Sequence, residues 1–449
     1  MTIRESVAAV FVYEEQVFMI VRQPFLPAFP GYHAFPGGKV DRDESSIPFS
    51  DPRLQICEPR LMRALVREMR EELDFDLEQA CCEGLVSATH LLCSATTPPF
   101  EHYRFCNRFI RIDLTRRPVF KVDEQEAQTS TWLRPELFLQ QWESAQALIV
   151  PPLRKILWAL GQDIGLTHVE NVDFTYDVTQ YVPAMEVLPD LWVLPVKSYT
   201  LPPANHTNAL VVGGYLVDPS PRDELELELL INTLDHYDGH GFSIEGIFLT
   251  HHHPDHHQFA NVLARRRGWP ITISVDSHTR ILKSMGAGYF QDLEVHHAAE
   301  GDVLTHWRSQ NVIVYAVPGH DEGQLALAPQ DLSWFLVGDL IQGVGTVVIS
   351  APEGHMGRYF HTLQRVIDLA PAVIIPSHGI AMGGTYRLQA TLAHRTERER
   401  EVLRLHEEGR TMTAMLDTIY QGLDEFLRPL ATANIQAHLV KLREEGKIA

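Results

Sequence analysis

The sequence predicts a multidomain protein that combines α/β and α+β folds. Its 449 residues are enough for two to three domains, each with its own hydrophobic core. Two groups of chemistry-bearing residues, at 35–75 and at 251–378, each follow apolar segments of strand length. From about residue 395 onward the sequence instead has the charged pattern of helices. We therefore expect two α/β-type units followed by a small helical tail.

The composition limits the partners and the compartment. A net charge of −20 and a pI near 5.5 argue against broad binding of nucleic acids or anionic membranes. Five cysteines, odd in number and without zinc-type spacing, indicate reduced thiols. Neither a signal peptide nor a membrane-spanning segment is visible, so a cytoplasmic protein without a membrane partner is expected. The oligomeric state stays open, a homo-oligomer included.

A run of ligand-type residues near the middle of the chain predicts a metal site. His251 to His256 read H-x-H-x-D-H and follow an apolar segment, 247–250, with the pattern of a short strand. Neutral imidazoles and carboxylates are preferred ligands of Zn, Fe and Mn. His251 and His253 can face one ion, and Asp255 and His256 another. Two ions about 3.5–4 Å apart are the arrangement that activates a water for hydrolysis.

The same run could instead be a nonspecific histidine-rich metal binder or a solvated polar loop. A closed binuclear site differs from both because it needs further ligands at later strand ends. Three later strand-like segments each lead to such a residue, in the order His320, Asp339 and His378. This repeated order of strand and then ligand favours the closed site.

Together these residues resemble the metallo-β-lactamase superfamily, over about residues 184–394. The resemblance implies an αββα sandwich with two divalent metals at one edge of its sheets, zinc first, with Fe or Mn as alternatives. It places one metal on His251, His253 and His320, the second on Asp255, His256 and His378, and Asp339 between both. It also implies hydrolysis by a metal-bound hydroxide, which Asp255 helps to orient as a catalytic residue.

The chain departs from the superfamily pattern around the mouth of this site. Gln258 and Phe259 stand where glycines often follow the histidine motif, and Asp321 begins a pair where Thr-Pro is frequent. No ligand is removed, but both departures change the residues at the mouth of the site. The extra histidines, His252 and His257, are expected beside the ligands or on the surface.

A second site is predicted near the N-terminus. The segment F-P-G-G at 35–38 and Glu44 precede a pattern with apolar residues at helical spacing over 62–73. Three carboxylates lie off this apolar stripe: Glu68, Glu71 and Glu72. They repel one another unless a cation is present, and Mg²⁺ or Mn²⁺ suits such an oxygen-rich face. The alternative is an ordinary solvated acidic helix whose charge is offset by neighbouring arginines.

These N-terminal residues resemble the Nudix box, and the resemblance covers about residues 4–162. The segment 34–41 fits the coenzyme A diphosphatase type. The resemblance implies an α/β/α sandwich that cleaves a nucleoside diphosphate derivative by water attack on phosphorus. It places Mg or Mn on Glu68, Glu71 and Glu72, with Glu71 also catalytic and Glu126 as a further catalytic acid from outside the box.

Two departures from the Nudix box stand out. The spacer between Glu44 and Arg67 is about fifteen residues longer than the family's seven, as a loop rich in Ser and Pro that can bulge outward. Asp74 replaces the glycine near the end of the box. Aspartate tolerates the left-handed turn that glycine would take, at some cost in free energy.

The predicted domains are a Nudix-like domain at 1–165, a linker at 166–183, a metallo-β-lactamase-like domain at 184–395 and a winged-helix-like domain at 396–449. The last resembles the winged-helix tail of a metallo-β-lactamase branch that includes enzymes acting on RNA. From Thr396 onward it holds eight Lys/Arg against ten Asp/Glu, so it is not basic. A packing or dimerisation role is favoured over nucleic-acid binding.

The combined interpretation is a bifunctional metal-dependent hydrolase with small-molecule nucleotide or thioester substrates. The first domain would cleave the diphosphate of coenzyme A or an acyl-coenzyme A. The second would hydrolyse a thioester on the same derivative, since fusion suggests linked substrates. One alternative is a ribonuclease or phosphodiesterase in the second domain, with the Nudix domain as a binding or regulatory module. The other is that one of the domains has lost its activity altogether.

Overall fold

The structure is a computed structural model that describes residues 3–100, 103–174, 176–239 and 241–449. The chain divides into two compact units, Met1–Asp177 with Glu186–Pro189, and Val178–Met185 with Asp190–Ala449. The described part of the predicted linker, 166–183, contains neither helix nor strand. None of the helices within the described ranges combines the length and apolar character that crossing a bilayer requires.

The first unit is built on one mixed sheet. Its strands are β1 Arg4–Tyr13, β2 Gln16–Arg22, β3 His33–Ala34, β4 Val86–Thr96, β5 Phe105–Leu114 and β6 Ala127–Leu133. Their order is β3-β2-β1-β5-β4, and β6 also pairs with β2. The helices are α1 Pro59–Leu73, α2 Leu77–Cys82, α3 Pro135–Glu143 and α4 Pro151–Gln162. Strands β1 and β2 pair antiparallel as a hairpin.

Alternation along β1 explains the layers of this unit. Val7, Ala9 and Phe11 pack in the core that includes α1 and α2, whereas Ala8 and Val10 pack in the core that includes α3 and α4. Successive side chains of a strand point to opposite faces, so a strand buried on both faces needs helices on both. The unit is therefore an α/β/α sandwich. All five cysteines of the chain lie in it, without a disulfide between them.

The second unit contains two sheets, preceded by the short strand β7 Met185–Leu188. The first sheet includes β8 Leu191–Lys197, β9 His206–Val212, β10 Tyr215–Val217, β11 Gly246–Phe248, β12 Ile271–Ile273 and β13 Val295–His297. The second is formed by β14 Val303–Trp307, β15 Gln310–Ala316, β16 Leu325–Pro329, β17 Phe335–Gly338, β18 Val373–Pro376 and β19 Met382–Gly383. Asn208 joins the two sheets, since its side-chain amide donates to the Pro376 carbonyl at 2.9 Å.

Helices cover each sheet of the second unit. They are α5 Glu224–Tyr237, α6 Pro254–His257, α7 Ala260–Arg267, α8 Val275–Met285, α9 Met356–Leu369, α10 Tyr386–Glu407, α11 Met412–Ile419 and α12 Arg428–Glu444. Residues of α5, α7 and α8 share a core with the first sheet. Residues of α9 and the start of α10 share another with the second sheet. This is the layer order of the predicted αββα sandwich.

The tail differs from its predicted boundaries. Helix α10 begins at Tyr386, so it runs across the predicted boundary at 395/396, because Leu388 on its first turn is buried against the second sheet. The last helix of the tail, α12, begins at Arg428. The tail has a small core of its own around Val402 and Ile435. Residues 384–449, all described, contain helices and turns but no strand.

Candidate metal centre

The strand order of the second unit gathers the predicted ligands at one place. Strand β11 runs parallel to β10 and β12, and β17 runs parallel to β18. The carboxyl ends of parallel strands meet at the same edge of a sheet. His251 follows β11 by three residues, Asp339 directly follows β17, and His378 follows β18 by two. His320 lies in the loop after β15 and completes the set from the second sheet.

Three histidines form the first ligand group. The Nε2 atom of His251 lies 3.0 Å from Nδ1 of His253, and that Nδ1 lies 3.0 Å from Nε2 of His320. Their ligand atoms all lie close enough together to bind one ion. Three ring nitrogens facing a common point is the geometry of a three-histidine metal site.

The second group consists of Asp255, His256 and His378, whose ligand atoms also converge. The Nε2 atom of His378 lies 3.5 Å from Oδ2 of Asp255, and Nε2 of His256 lies 3.9 Å from Oδ1 of the same carboxylate. Both histidines are fully buried, whereas the Asp255 side chain is 16% exposed. Asp255 therefore lies on the accessible side of the group.

Asp339 lies between the two groups. Its Oδ1 is 3.4 Å from Nε2 of His378 and 3.7 Å from Nε2 of His256, while its Oδ2 is 3.9 Å from Nε2 of His320. Each carboxylate oxygen thus faces a different group, as expected of a bridging ligand. Within the described residues, His256 Nε2 and Asp339 Oδ1 are buried without a hydrogen-bond partner. Such orphaned buried atoms are costly, and a divalent cation fits them.

Buried partners fix the orientation of the ligand rings. The Nδ1 atom of His256 lies 2.8 Å from Oδ2 of Asp218, which also accepts a hydrogen bond from the Thr250 hydroxyl at 2.7 Å. The Nδ1 atom of His320 lies 2.9 Å from the Val348 carbonyl, and Nδ1 of His378 lies 2.9 Å from the His206 carbonyl. A ring that donates from Nδ1 keeps a lone pair on Nε2, which is the atom directed at the centre.

The electrostatics of the cluster also suit cations. Burial lowers the pKa of His320 to about 4, so this ring is neutral at pH 7. Burial also lowers the pKa of His256, but the carboxylates of Asp255, Asp218 and Asp339 outweigh it and raise this pKa well above its ordinary value. The protons held in this way neutralise carboxylates buried at the centre. Bound cations would supply that positive charge instead.

Several residues of this site were not identified from the sequence as functional. Asp218 directly follows β10, just as Asp339 directly follows β17. Its position after a strand could therefore have identified Asp218 from the sequence. Glu353 was not recognised either, because its loop has no sequence pattern; its Oε2 lies 3.3 Å from Nε2 of His253. His252 is buried beside the ligands, with Nδ1 at 2.7 Å from Oδ2 of Asp321.

His257 is not a surface group. Its side chain is buried, and its ring packs edge-on against Tyr289 with ring centroids 5.2 Å apart. Burial lowers the pKa of His257 to about 4. It is therefore a neutral core residue.

The acidic motif of the first unit is held in place by Arg67. Its Nε lies 2.8 Å from Oε1 of Glu44, so the long spacer leaves these two residues in contact. Its Nη1 lies 2.9 Å from the carboxylates of both Glu68 and Glu71. Among the described residues, every group of three ligand-type side chains around one point lies in the second unit. The glutamates of α1 are thus on one helix, but their oxygens do not converge on one point, and Arg67 contacts two of them.

Glu72 and Glu68 face the glycine pair. Glu72 is buried and accepts a hydrogen bond from the Gly37 N–H at 2.8 Å. A Cβ atom on Gly38 would lie 2.4 Å from the Glu68 carboxylate, so a larger residue there would have to displace this side chain. Burial, the charge of Glu68 and that of Glu126 raise the pKa of Glu72 to about 8. The half-buried Glu126 is therefore near the same carboxylates.

Comparison with known families assigns the second unit. Residues 202–378 match the model of the metallo-beta-lactamase superfamily, and residues 411–449 match the beta-lactamase associated winged helix domain. The matched superfamily segment holds all seven ligands predicted from the sequence. The chain therefore contains a metallo-β-lactamase superfamily domain, which is a hydrolase domain, followed by the associated winged-helix segment.

Similar proteins agree with this family. A protein from Drosophila melanogaster described as "Beta-lactamase-like protein 2 homolog" is 30% identical over 162 residues, which are 35% of this chain and 53% of that protein. The chain thus spans about half the length of this relative. A beta-lactamase domain protein from Burkholderia ambifaria has the same fold, with a TM-score of 0.53, 20% identity, and coverage of 61% of this chain and 91% of that chain.

A Nudix hydrolase from Alicyclobacillus acidocaldarius is also similar in structure. Its TM-score is 0.29 at 19% identity, and the match covers 36% of this chain and 92% of that chain. A score at that level assigns no fold to the first unit.

Proposed function

We propose that the second unit is a binuclear hydrolase. One divalent ion would be held by His251, His253 and His320, the other by the second ligand group, with Asp339 shared between them. The observation that supports this most strongly is the pair of ligand groups on either side of Asp339, with buried ligand atoms left unpaired. Zinc is the metal we propose for these imidazole and carboxylate ligands, with Fe or Mn as alternatives.

When bound, two such cations lower the pKa of a shared water and polarise the oxygen of the scissile bond. The chain's own residues orient the reactants. Asp255 is the only partly exposed residue of its ligand group, with 16% of its side chain accessible, so it is placed to accept a hydrogen bond from the attacking water. The hydroxyl of Thr207 donates to the Asp255 carbonyl at 2.7 Å and fixes this segment. Asp218 and Thr250 hold the adjacent rings in their metal-binding orientation.

The first unit is proposed to be a Nudix-type diphosphate hydrolase. Glu68 and Glu72 lie against the glycine pair, Glu71 lies 60% exposed on the same helix, and Glu126 lies nearby. Mg²⁺ or Mn²⁺ would favour oxygens of this set together with those of a diphosphate. Binding would require Arg67 to release at least one of its carboxylate contacts.

The proposed substrates of the two units are linked. Coenzyme A derivatives contain both a diphosphate and, when acylated, a thioester, so one molecule offers a bond to each site. A second candidate is cleavage of RNA by the metallo-β-lactamase domain, favoured by the match of residues 411–449 to the associated winged helix domain. Acidic residues outnumber basic ones from Thr396 onward, which argues against strong electrostatic binding of RNA by this segment.

Product analysis tests both activities. Metal-loaded protein would be incubated with a panel of acyl-coenzyme A esters, and the products would be identified by mass spectrometry. His253→Ala should abolish release of free coenzyme A, and Glu71→Gln should abolish release of adenosine 3′,5′-bisphosphate. His361→Ala and Glu78→Gln change exposed residues of the same types and should leave both products unchanged.

Three outcomes would contradict parts of the proposal. Thioester hydrolysis that persists in His253→Ala would exclude the binuclear centre from it. Diphosphate cleavage that persists in Glu71→Gln would remove the Nudix role of that residue. If neither product forms with the wild-type protein while an oligoribonucleotide is cleaved, RNA replaces coenzyme A as the substrate.

A further inference from the structure

A cavity with a basic wall lies beside the metal centre. It has a volume of about 220 Å³ and lies between helix α10 and the segment that follows Asp339. Its lining residues are Ile341, Gln342, Gly345, Thr346, Val347, Arg387, Ala390, Thr391, His394 and Arg395. None of these is acidic, although the chain as a whole carries a net charge of −20. The cavity therefore has the opposite charge to most of the molecule.

The basic residues occupy one face of α10. Counted from Arg387, Thr391 lies four positions further along α10 and His394 lies seven positions further. Arg395 directly follows His394. Residues spaced by about four and seven positions lie on the same side of a helix. The helix thus presents two guanidinium groups and an imidazole to the same cavity, and guanidinium groups suit a phosphate group. The Thr391 hydroxyl already donates to the Arg387 carbonyl at 2.8 Å and is left as an acceptor.

Arg395 is buried without an anionic partner. Its exposure is 2%, its Nη1 donates to Oδ1 of Asn434 at 3.2 Å, and its Nη2 donates to the Val347 carbonyl. Its Nε is buried without an acceptor. Among the described residues, the hydrogen-bond partners of Arg395 and Arg387 are amide and carbonyl oxygens and not carboxylates. A buried guanidinium without a counter-charge is costly, so an anion bound in this cavity would stabilise it.

One residue connects this cavity with the metal centre. The side-chain amide of Gln342 donates to Oδ2 of Asp339 at 3.4 Å. The carbonyl of the same Gln342 accepts hydrogen bonds from Nε and Nη2 of Arg387 at 3.3 and 3.2 Å. A group bound at Arg387 would therefore be separated from the bridging carboxylate by a single residue. The cavity is placed to hold part of a molecule whose scissile bond lies at the centre.

We propose that this cavity binds a phosphate group of a small-molecule substrate of the binuclear centre. The substrate class is a phosphorylated nucleotide derivative, and this part of the inference rests on the hydrolase function proposed above. A volume of about 220 Å³ suits one phosphate with its adjoining atoms, whereas an RNA chain would need a continuous basic surface. The chain beyond α10 has more acidic than basic residues and therefore does not supply such a surface.

Isothermal titration of the metal-loaded full chain with inorganic phosphate, at low ionic strength, tests the site without any turnover. Arg387→Gln should weaken phosphate binding by roughly 10-fold to 100-fold, because a hydrogen bond to a charged group is lost. Arg387→Lys should have a smaller effect, since it keeps the charge. Arg400→Gln is the matched control, because Arg400 lies on the same helix but is 72% exposed. Unchanged thermal unfolding of Arg387→Gln would show that its fold is intact.

Phosphate could also bind directly to the metals, so His253→Ala is titrated in parallel. Binding that persists in His253→Ala and falls in Arg387→Gln supports the cavity, even if the centre proves to hydrolyse nothing. Binding that falls in His253→Ala and persists in Arg387→Gln overturns it. Adenosine 3′,5′-bisphosphate should displace phosphate at a lower concentration than a five-nucleotide RNA without terminal phosphates does. The reverse order would overturn the assignment to a small molecule.

Discussion

The Nδ1 atom of His256 lies 2.8 Å from Oδ2 of Asp218, and the two side chains are 0% and 1% exposed. Asp218 also accepts hydrogen bonds from the backbone N–H of Thr250 at 2.8 Å and from its hydroxyl at 2.7 Å. Three donors thus surround one buried carboxylate at the end of β10. Asp218 touches no proposed substrate position, yet it determines which nitrogen of His256 faces the metal centre.

Replacement of Asp218 by Asn should weaken metal binding while the fold is retained. The amide keeps the shape of the carboxylate but loses its charge, and changes to such supporting residues typically reduce metal affinity by about 10-fold to 100-fold. Competition with a chromogenic chelator measures this affinity directly. Asp235→Asn, at an exposed ion pair with Arg267, is the control and should bind metal like the wild type. Equal affinity of Asp218→Asn and wild type would show that Asp218 only supports the fold.

Metal binding should release protons near neutral pH. In the metal-free centre, nearby carboxylates outweigh the effect of burial and raise the pKa of His256 and His378. These rings must lose their protons to act as ligands, so metal affinity should rise with pH through the neutral range. Calorimetric titration in buffers of different ionisation enthalpy counts the released protons. Binding without proton release would contradict the role of these two rings as ligands.

The first unit should become less stable as the pH rises. The folded-state pKa of Glu72 is raised to about 8 from its ordinary 4.5, so the folded state retains a proton that the unfolded state has lost. Its contribution is present below about pH 4.5 and is lost by about pH 8. Glu72→Gln should therefore stabilise the metal-free protein at pH 8 by roughly 1–4 kcal/mol.

Thermal unfolding at pH 5 and pH 8, with and without Mg²⁺, checks the Glu72 prediction. Mg²⁺ should stabilise the wild type at pH 8 and should have much less effect on Glu72→Gln. A wild-type protein whose first unit shows no pH dependence over this range would contradict the account of Glu72.

Replacement of Asp74 by Gly should stabilise the first unit. Asp74 ends α1 in the left-handed region, with φ 51° and ψ 39°, which glycine adopts without strain. The gain should be about 0.5–1 kcal/mol, because the exposed contact of Asp74 with Lys121 at 3.9 Å contributes little. Denaturant unfolding of Asp74→Gly and Asp74→Ala measures the effect. Equal stabilities of the glycine and alanine variants would contradict this explanation.

The metal centre was predictable because its ligands follow strands, and strand ends are readable from apolar segments. His320, Asp339 and His378 could thus be placed together from the order of segments alone. The same logic applied to Asp218, but a single carboxylate after a short strand is not distinctive without its partner in space. Glu353 and Gln342 lie in irregular loops, and the sequence could not show that these loops return to the centre.

Helix boundaries were predicted less well than strand ends. The change in composition near Arg395 suggested a domain boundary, but α10 continues through it because Leu388 is buried on one side and Val402 on the other. In the first unit the sequence predicted the left-handed turn at Asp74. It did not predict that Arg67 would contact Glu44, Glu68 and Glu71 at once.

Metal stoichiometry tests the central claim most directly. Elemental analysis of desalted, zinc-loaded protein should give two tightly bound ions per chain for the wild type. Asp255→Ala should retain about one ion, because the three-histidine group is left intact, and Asp339→Ala should weaken both sites. Two ions in Asp339→Ala, or at most one in the wild type under saturating zinc, would contradict a binuclear centre bridged by Asp339.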